Sequence, residues 1–249
     1  MKQAIFFDMD DTLYDHLLPF RRAIQAWTAG IGDFPYQEAY HRMRYYSDKL
    51  SEELGGAGAM GQGAAAEAMR WRRFQLTLAD FGIKLKEDAA KAAQASYLAC
   101  QFDIAMFDGM KELILKLQHE GHITGLITNG ESSHQRMKIA AMQLEAFMGK
   151  ELLFISGEAG WDKPDPRFFR AVNEATGTSA ENCLYIGDSW RNDVIGGLNA
   201  GWSVIWFNHR EAAPGTGHAP HYEATNVAQL AKHVDRHLAR ARTSAGSGK

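Results

Sequence analysis

The acidic run Asp8-Met9-Asp10-Asp11-Thr12-Leu13 follows directly on the apolar run Ala4-Ile5-Phe6-Phe7. Two carboxylates two residues apart at the end of a buried strand reach one small volume, where paired acids serve as metal ligands or as nucleophile and general acid. Read alone, the same residues also make an acidic turn that caps a helix through Asp11 or Thr12. Further on, Thr128 and Asn129 precede Gly130 and can donate hydrogen bonds to the oxygens of an anion, with backbone N–H groups helping. An ordinary Thr-Asn-Gly turn fits those residues equally. Lys163 sits in Asp162-Lys163-Pro164-Asp165-Pro166, where two prolines stiffen the backbone and start a helix at Pro166. It can hold an anionic substrate and offset a carboxylate nucleophile, or it is a solvated lysine at a helix entry. Asp188 and Asp193 lie in Gly187-Asp188-Ser189-Trp190-Arg191-Asn192-Asp193. Asp188 can complete an oxygen-rich Mg2+ site with Asp8. Asp193 can ligate through water, orient Lys163, or be a helix N-terminal charge.

These residues need a scaffold that delivers them to one place. Strands are predicted at Ala4–Phe7, Ile123–Ile127, Leu152–Ile155, Cys183–Ile186 and Val204–Phe207, alternating after Asp108 with helices at Met110–His119, Ser133–Leu144, Pro166–Ala175 and Asp193–Ala200. Such alternation gives βαβ units, hence an α/β fold with a Rossmann-like parallel sheet covered on both faces. Between the first two strands the character changes to helix, near Pro19–Ala29, Gln37–Leu54, Ala64–Phe81 and Lys86–Gln101. That stretch reads as an all-α insertion capping the carboxyl edge of the sheet, where such sheets bind ligands. The expected division is a core of 1–16 and 106–242, a helical cap of 17–105, and a disordered tail of 243–249. Glu211–Pro220 reads as a surface loop and Val227–Ala241 as a last helix.

Four motifs in this order, each at the carboxyl end of a predicted strand, resemble those of the haloacid dehalogenase (HAD) superfamily of phosphohydrolases. Those are D-x-D-x-T, a Ser or Thr after a strand, a Lys, and a Gly-Asp run with a second acid. The resemblance runs from Phe6 to about Phe207 and includes the α-helical cap. Within the group, Ile127–Glu131, Gly157–Phe169 and Gly187–Asp193 look most like the pyrimidine 5′-nucleotidase branch. The resemblance implies that Asp8 attacks phosphorus and becomes an aspartyl-phosphate. Asp10 then protonates the leaving alkoxide, later takes a proton from water, and gives its backbone carbonyl to Mg2+. Thr128 holds phosphoryl oxygens with Asn129 adjacent, and Lys163 neutralises Asp8 and the phosphate. Asp188 is a metal ligand, and Asp193 a ligand directly or through water. Many cap-bearing members carry Gly where Asp11 stands. Haloalkanoic acid dehalogenases lack an acid at the place of Asp10, because a halide leaving group needs no proton. The implied activity is therefore Mg2+-dependent hydrolysis of a small phosphate monoester, a nucleoside monophosphate among the candidates. A phosphomutase, a dehalogenase-type hydrolase and a non-catalytic binding protein are the rivals.

Composition fits that reading. The chain has 249 residues, 45% hydrophobic and 23% charged, with Lys plus Arg 27 against Asp plus Glu 30 and a net charge of −3. This excludes a disordered or fibrous chain and gives no basic face for nucleic acid. Cys100 and Cys183 make neither a disulfide framework nor a zinc site. No apolar run is long enough to span a membrane, and the N-terminal run is too short for a signal peptide, so a cytoplasmic protein, monomer or homodimer, is expected. That its partner is a small phosphorylated metabolite is what the resemblance implies. The literal G-x-G-x-x-G at Gly56–Gly61 follows a helix rather than a strand and reads as a cap loop, not a dinucleotide site. Arg70, Arg72 and Arg73 beside Trp71 can stack on a base or grip a second anion. A solvated face with one aromatic anchored in the core is the commoner arrangement.

Overall fold

The computed structural model describes residues 2–54 and 63–246. The G-x-G-x-x-G run at 56–61 therefore lies outside the described residues. Six parallel strands form one sheet in the order β3-β2-β1-β4-β5-β6: β1 (Ala4–Phe7), β2 (Ile123–Thr128), β3 (Leu153–Ile155), β4 (Cys183–Gly187), β5 (Ser203–Phe207) and β6 (Tyr222–Ala224). The α/β parallel fold expected from the sequence is the one observed. β6 was not expected. It is a three-residue edge strand, and so short a segment carries no readable alternation.

Side chains on the central strands alternate between two packed layers, as the pleat requires. Ile5 and Phe7 of β1 and Leu184 and Ile186 of β4 enter one core cluster. Ala4 and Phe6 of β1, with Cys183 and Tyr185 of β4, enter the other. The first cluster is closed by α5 (Met110–His119), whose Met110, Leu113, Ile114 and Leu117 recur at helical spacing, and by the last helix. The second is closed by Phe168, Phe169 and Val172 of a helix starting at Pro166. At Gly125 of β2 an added Cβ would sit 2.6 Å from the Leu152 carbonyl and press on Phe6, so only glycine lets β2 pass there.

Between β1 and β2 the chain makes α1 (Leu17–Thr28), α2 (Tyr36–Glu53), α3 (Ala64–Asp80) and α4 (Glu87–Cys100). They share a hydrophobic cluster of their own, built from Phe20, Ile24, Tyr40, Met43, Phe74 and Tyr97 among others. The remaining helices are α6 (Ser132–Ala141), α7 (Ser156–Ala159), α8 (Pro166–Thr176), α9 (Gly196–Asn199) and α10 (Val227–Gly246).

Two stretches differ from expectation. The helix expected at Asp193–Ala200 begins earlier, as a wide turn over Trp190–Ile195 in which both Asp193 N–H and Val194 N–H donate to the Ser189 carbonyl (2.9 and 3.1 Å). The last helix, expected at Val227–Ala241, is longer than that. α10 continues through Thr243 to Gly246, and the Thr243 hydroxyl donates to the Arg240 carbonyl (2.8 Å), as helical backbone allows. No helix among the described residues is long and apolar enough to cross a membrane.

Candidate active site

Parallel strands all point their carboxyl ends one way, so the residues that follow them meet at one edge. Asp8 follows β1 and its N–H donates to the Ile186 carbonyl of β4 (2.8 Å). Thr128 closes β2, Asp188 follows β4, and Lys163 stands in the turn between α7 and α8.

Lys163 is buried, and its Nζ donates to Asp8 Oδ1 (2.6 Å), Asp193 Oδ1 (2.7 Å) and the Tyr185 hydroxyl (2.7 Å). Burial alone would lower its pKa. The Asp193 and Asp8 carboxylates reverse that and keep the ammonium charged. Asp193 is fixed from the other side by Ser189 N–H on its Oδ2 (2.8 Å). Gly187 leaves the room for it, because a Cβ there would collide with the Asp193 carboxyl.

Asp8, Asp188 and Asp193 each place a carboxylate oxygen within 4.8 Å of the others. Burial pushes the Asp8 carboxyl up to about 7, with Lys163 working against that and Asp193 and Asp10 adding to it. Burial also raises Asp188, and its Oδ1 is buried without a hydrogen-bond partner. Fully ionised, three carboxylates against the Lys163 ammonium leave two negative charges, a state that burial resists and that a divalent, oxygen-seeking cation would stabilise. The three acids and the orphaned Asp188 oxygen fit Mg2+.

The Asp10 carboxylate stands apart from that trio. It accepts both Lys138 hydrogen bonds (2.8 and 2.9 Å) and one from the Tyr14 hydroxyl. Burial opposes ionisation, yet Lys138, His16 and Arg44 hold its pKa well below the usual carboxylate range. Of the metal ligands the resemblance implies, Asp10 thus has only its backbone carbonyl to give.

Thr128 is buried and its Oγ1 accepts from Gln135 Nε2 (2.8 Å), leaving its own hydroxyl hydrogen to donate. Asn129 lines the site's cavity and is tied to the Lys163 peptide. Its Oδ1 accepts from Lys163 N–H (2.8 Å) and its Nδ2 donates to the Lys163 carbonyl (2.9 Å). The Gln135 amide also reaches the Asn129 carbonyl (2.8 Å).

Asp11, where a glycine is common, has φ 61°, in the left-handed region that favours glycine and tolerates Asp. Its buried carboxylate accepts from His16 N–H (3.0 Å), Arg210 (2.7 Å) and the Tyr40 hydroxyl. Burial works against its ionisation, but His209, Arg210 and Arg44 hold its pKa far down. One side chain thus ties α2 to the loop after β5.

Sequence reading missed Lys138, Gln135, Tyr185 and Arg210. Gln135 and Lys138 stand three residues apart on α6 and are both buried, a polar pair on the inward face of a helix. That spacing, just after Thr128-Asn129-Gly130, was the available signal.

The cavity, of about 1090 Å3, is lined by Asp10, Lys138 and Lys163 from the sheet edge and α6 and by Arg70, Arg73 and Tyr97 from the helices between β1 and β2, so it meets the acid trio through Lys163 rather than through the acids themselves. Trp71 packs against the helical cluster, as expected for an anchored aromatic. Arg72 is exposed, but Arg70 and Arg73 face the cavity, so a wholly solvated arginine face is not what forms.

Residues 2–201 match the haloacid dehalogenase-like hydrolase family. The chain is 26% identical over 237 residues to mouse N-acylneuraminate-9-phosphatase, covering 92% of each. It is 33% identical over 116 residues to the pyrimidine 5′-nucleotidase YjjG of Escherichia coli, covering 45% of this chain and 50% of that one. Among solved structures, the HAD-hydrolase YfnB of Bacillus subtilis bound to magnesium superposes with a TM-score of 0.68 at 24% identity, over 92% of this chain and 96% of that chain.

Proposed function

The chain belongs to the haloacid dehalogenase-like hydrolases and is a hydrolase of phosphate monoesters, and from that premise we propose that it works as a Mg2+-dependent phosphatase through an aspartyl-phosphate at Asp8. The observation that carries this reading is the buried contact of Lys163 with Asp8 and Asp193, beside an Asp188 oxygen with no partner.

In this proposal Asp8, Asp188 and Asp193, with the Asp10 backbone carbonyl, hold Mg2+. When bound, the ion supplies positive charge that keeps Asp8 ionised and balances the phosphoryl oxygens. Lys163 adds a second cation at the same carboxylate, and the Thr128 hydroxyl donates to a phosphoryl oxygen. An Asp8 oxygen forms a bond to phosphorus while the bond to the leaving alkoxide breaks. Asp10, ionised against Lys138 in the free site, takes a proton from solvent as the incoming phosphate dianion raises its pKa, and hands that proton to the alkoxide. Asp10, ionised again against Lys138, takes a proton from the water whose oxygen displaces Asp8 from phosphorus. Asn129 fixes Lys163, and the second N–H of its amide is left to donate to the substrate in the cavity it lines.

We further propose residues 17–105 as a cap domain over a core of 1–16 and 106–242, excluding water from the cleft when closed. The substrate is a small phosphorylated metabolite, met in the cytoplasm. The alternative of a dehalogenase is disfavoured by Asp10, which a halide leaving group does not need.

The test is phosphate release with Mg2+ from a panel of nucleoside monophosphates, sugar phosphates, sugar acid phosphates and a chromogenic ester. Release that stops with EDTA and returns with Mg2+ supports the reading. Silence across the panel, or release untouched by EDTA, overturns it.

A further inference from the structure

Each cation lining the cavity has a carboxylate within reach, except two. Lys163 meets Asp8 and Asp193, Lys138 meets Asp10, Arg191 meets Glu52 (2.6 Å) and Arg44 lies 3.8 Å from Asp11. Among the described residues, Arg73 and Arg70 have none within 4.0 Å, and residues 55–62 and 247–249 contain no Asp or Glu. Glu131, facing Arg70 across the cleft, is occupied as the N-cap of α6, accepting from Ser133 N–H and His134 N–H.

Arg73 is held in place by neutral groups alone. Its Nε donates to the Arg70 carbonyl (3.1 Å), Nη1 to the Ser47 hydroxyl (3.3 Å) and Nη2 to Gln94 Oε1 (3.2 Å). Its guanidinium also lies over the rings of Phe74 (5.2 Å) and Tyr97 (5.1 Å). A guanidinium has five N–H donors, so one on each Nη is left over. Two parallel N–H groups are what the two oxygens of a carboxylate accept. Burial pulls the Arg73 guanidinium below its ordinary value, with Arg70 and Arg44 pulling the same way, as expected of a charge whose counterion is not part of the chain.

We propose that the substrate of this site carries a second anionic group, a carboxylate, at the end of its skeleton away from the phosphate, and that Arg73 receives it with Arg70 beside it. The inference rests on the phosphomonoesterase reading above and names its substrate class: phosphorylated carboxylic acids, sugar acid phosphates among them. The cavity links the two ends, since Asp10 and Lys163 line the same space as Arg70 and Arg73. Arg73 is pre-positioned by Ser47 and Gln94, so its planar fork is already ordered before the ligand arrives.

The test uses two matched pairs in which only a carboxylate replaces a hydroxymethyl group: 3-phosphoglycerate with glycerol 3-phosphate, and gluconate 6-phosphate with glucitol 6-phosphate. With Mg2+ present, the wild-type protein should show a kcat/KM about tenfold or more higher for the acid in at least one pair, the factor expected of a charge-assisted bidentate contact. In Arg73→Gln that ratio should fall towards one, and Arg73→Lys, with charge but no fork, should keep part of it. A ratio near one in both wild-type pairs overturns the inference while leaving the phosphatase reading intact, and so does a ratio unchanged in Arg73→Gln. If no ester is hydrolysed, p-nitrophenyl phosphate included, the phosphatase reading fails. Calorimetric titration of the same pairs onto wild type and Arg73→Gln then decides the inference. Tighter binding of the acid that the variant loses upholds it, and equal or absent binding overturns it.

Discussion

Asn129 and Lys163 hold each other by two hydrogen bonds between one side chain and one peptide unit: Lys163 N–H to Asn129 Oδ1 (2.8 Å) and Asn129 Nδ2 to the Lys163 carbonyl (2.9 Å). The loop after β2 thereby sets the backbone from which the Lys163 ammonium reaches Asp8. Asn129→Ala removes both bonds, and misplacement of a catalytic cation by an ångström costs on the order of a hundredfold. The expected result is a kcat/KM lower by about 10- to 100-fold with circular dichroism unchanged. A value within twofold of wild type would mean that Lys163 is held without Asn129.

Asp11 is a second such tie. Asp11→Gly relieves the left-handed backbone, worth about 1 kcal/mol, but removes the buried acceptor of His16 N–H and the Tyr40 hydroxyl and one of the two carboxylates on Arg210, which keeps Asp15. Losing a charge-assisted buried acceptor costs about 1.5–3 kcal/mol, so urea unfolding should show a net loss of about 1–2 kcal/mol. Equal or greater stability would make Asp11 a turn residue only.

Stability should also fall with acid through His16, which is buried against Tyr97 (2.5 Å) and Tyr40 (3.0 Å). Burial pulls its pKa from 6.5 down to about 3, Asp10 opposing and Lys138 assisting. Above 6.5 the neutral ring is present in both folded and unfolded chains and nothing is lost. Below 6.5 the unfolded chain takes up a proton the folded one refuses, so stability declines by up to about 1.4 kcal/mol per pH unit until pH approaches 3. His16→Phe should flatten the decline in unfolding free energy between pH 6 and pH 4.5, whatever it does to the absolute value. An unchanged slope would assign the acid sensitivity to other groups.

Gly187 bears on the metal. A methyl there would displace the Asp193 carboxyl from Lys163 and from the acid trio. Gly187→Ala should raise the Mg2+ concentration for half-maximal activity by about 10- to 100-fold, as when a ligand loses its support. An unchanged Mg2+ dependence would separate Asp193 from metal binding.

The sheet was legible because Ala4–Phe7, Cys183–Ile186 and Val204–Phe207 are short apolar runs bounded by turns, and because α5 spaces Met110, Leu113, Ile114 and Leu117 at helical intervals. The positions of Asp8, Thr128, Lys163 and Asp188 at one edge follow from that topology alone. The partners of Asp10 and Asn129 did not follow. Lys138 and Gln135 lie on α6, where Ile139 is the one buried hydrophobic residue beside them, so no apolar stripe marks which side turns inward. Nor could periodicity tell that Arg73 faces the cavity while Arg72 faces solvent, since that depends on how α3 is rotated against α2 and α4. The wide turn at Trp190–Ile195 arises from one extra residue under the Ser189 carbonyl and has no signature in residue type.

The central claim is that Asp8 attacks phosphorus, and Asp8→Asn tests it most directly, since the change keeps the size of the side chain and removes its nucleophilic charge. Phosphate release should be measured at saturating Mg2+ on the best ester of the panel, with folding checked by circular dichroism and thermal unfolding. The account predicts a folded protein whose release is no faster than the uncatalysed reaction. Turnover near the wild-type rate in that variant would contradict it and move the chemistry away from Asp8.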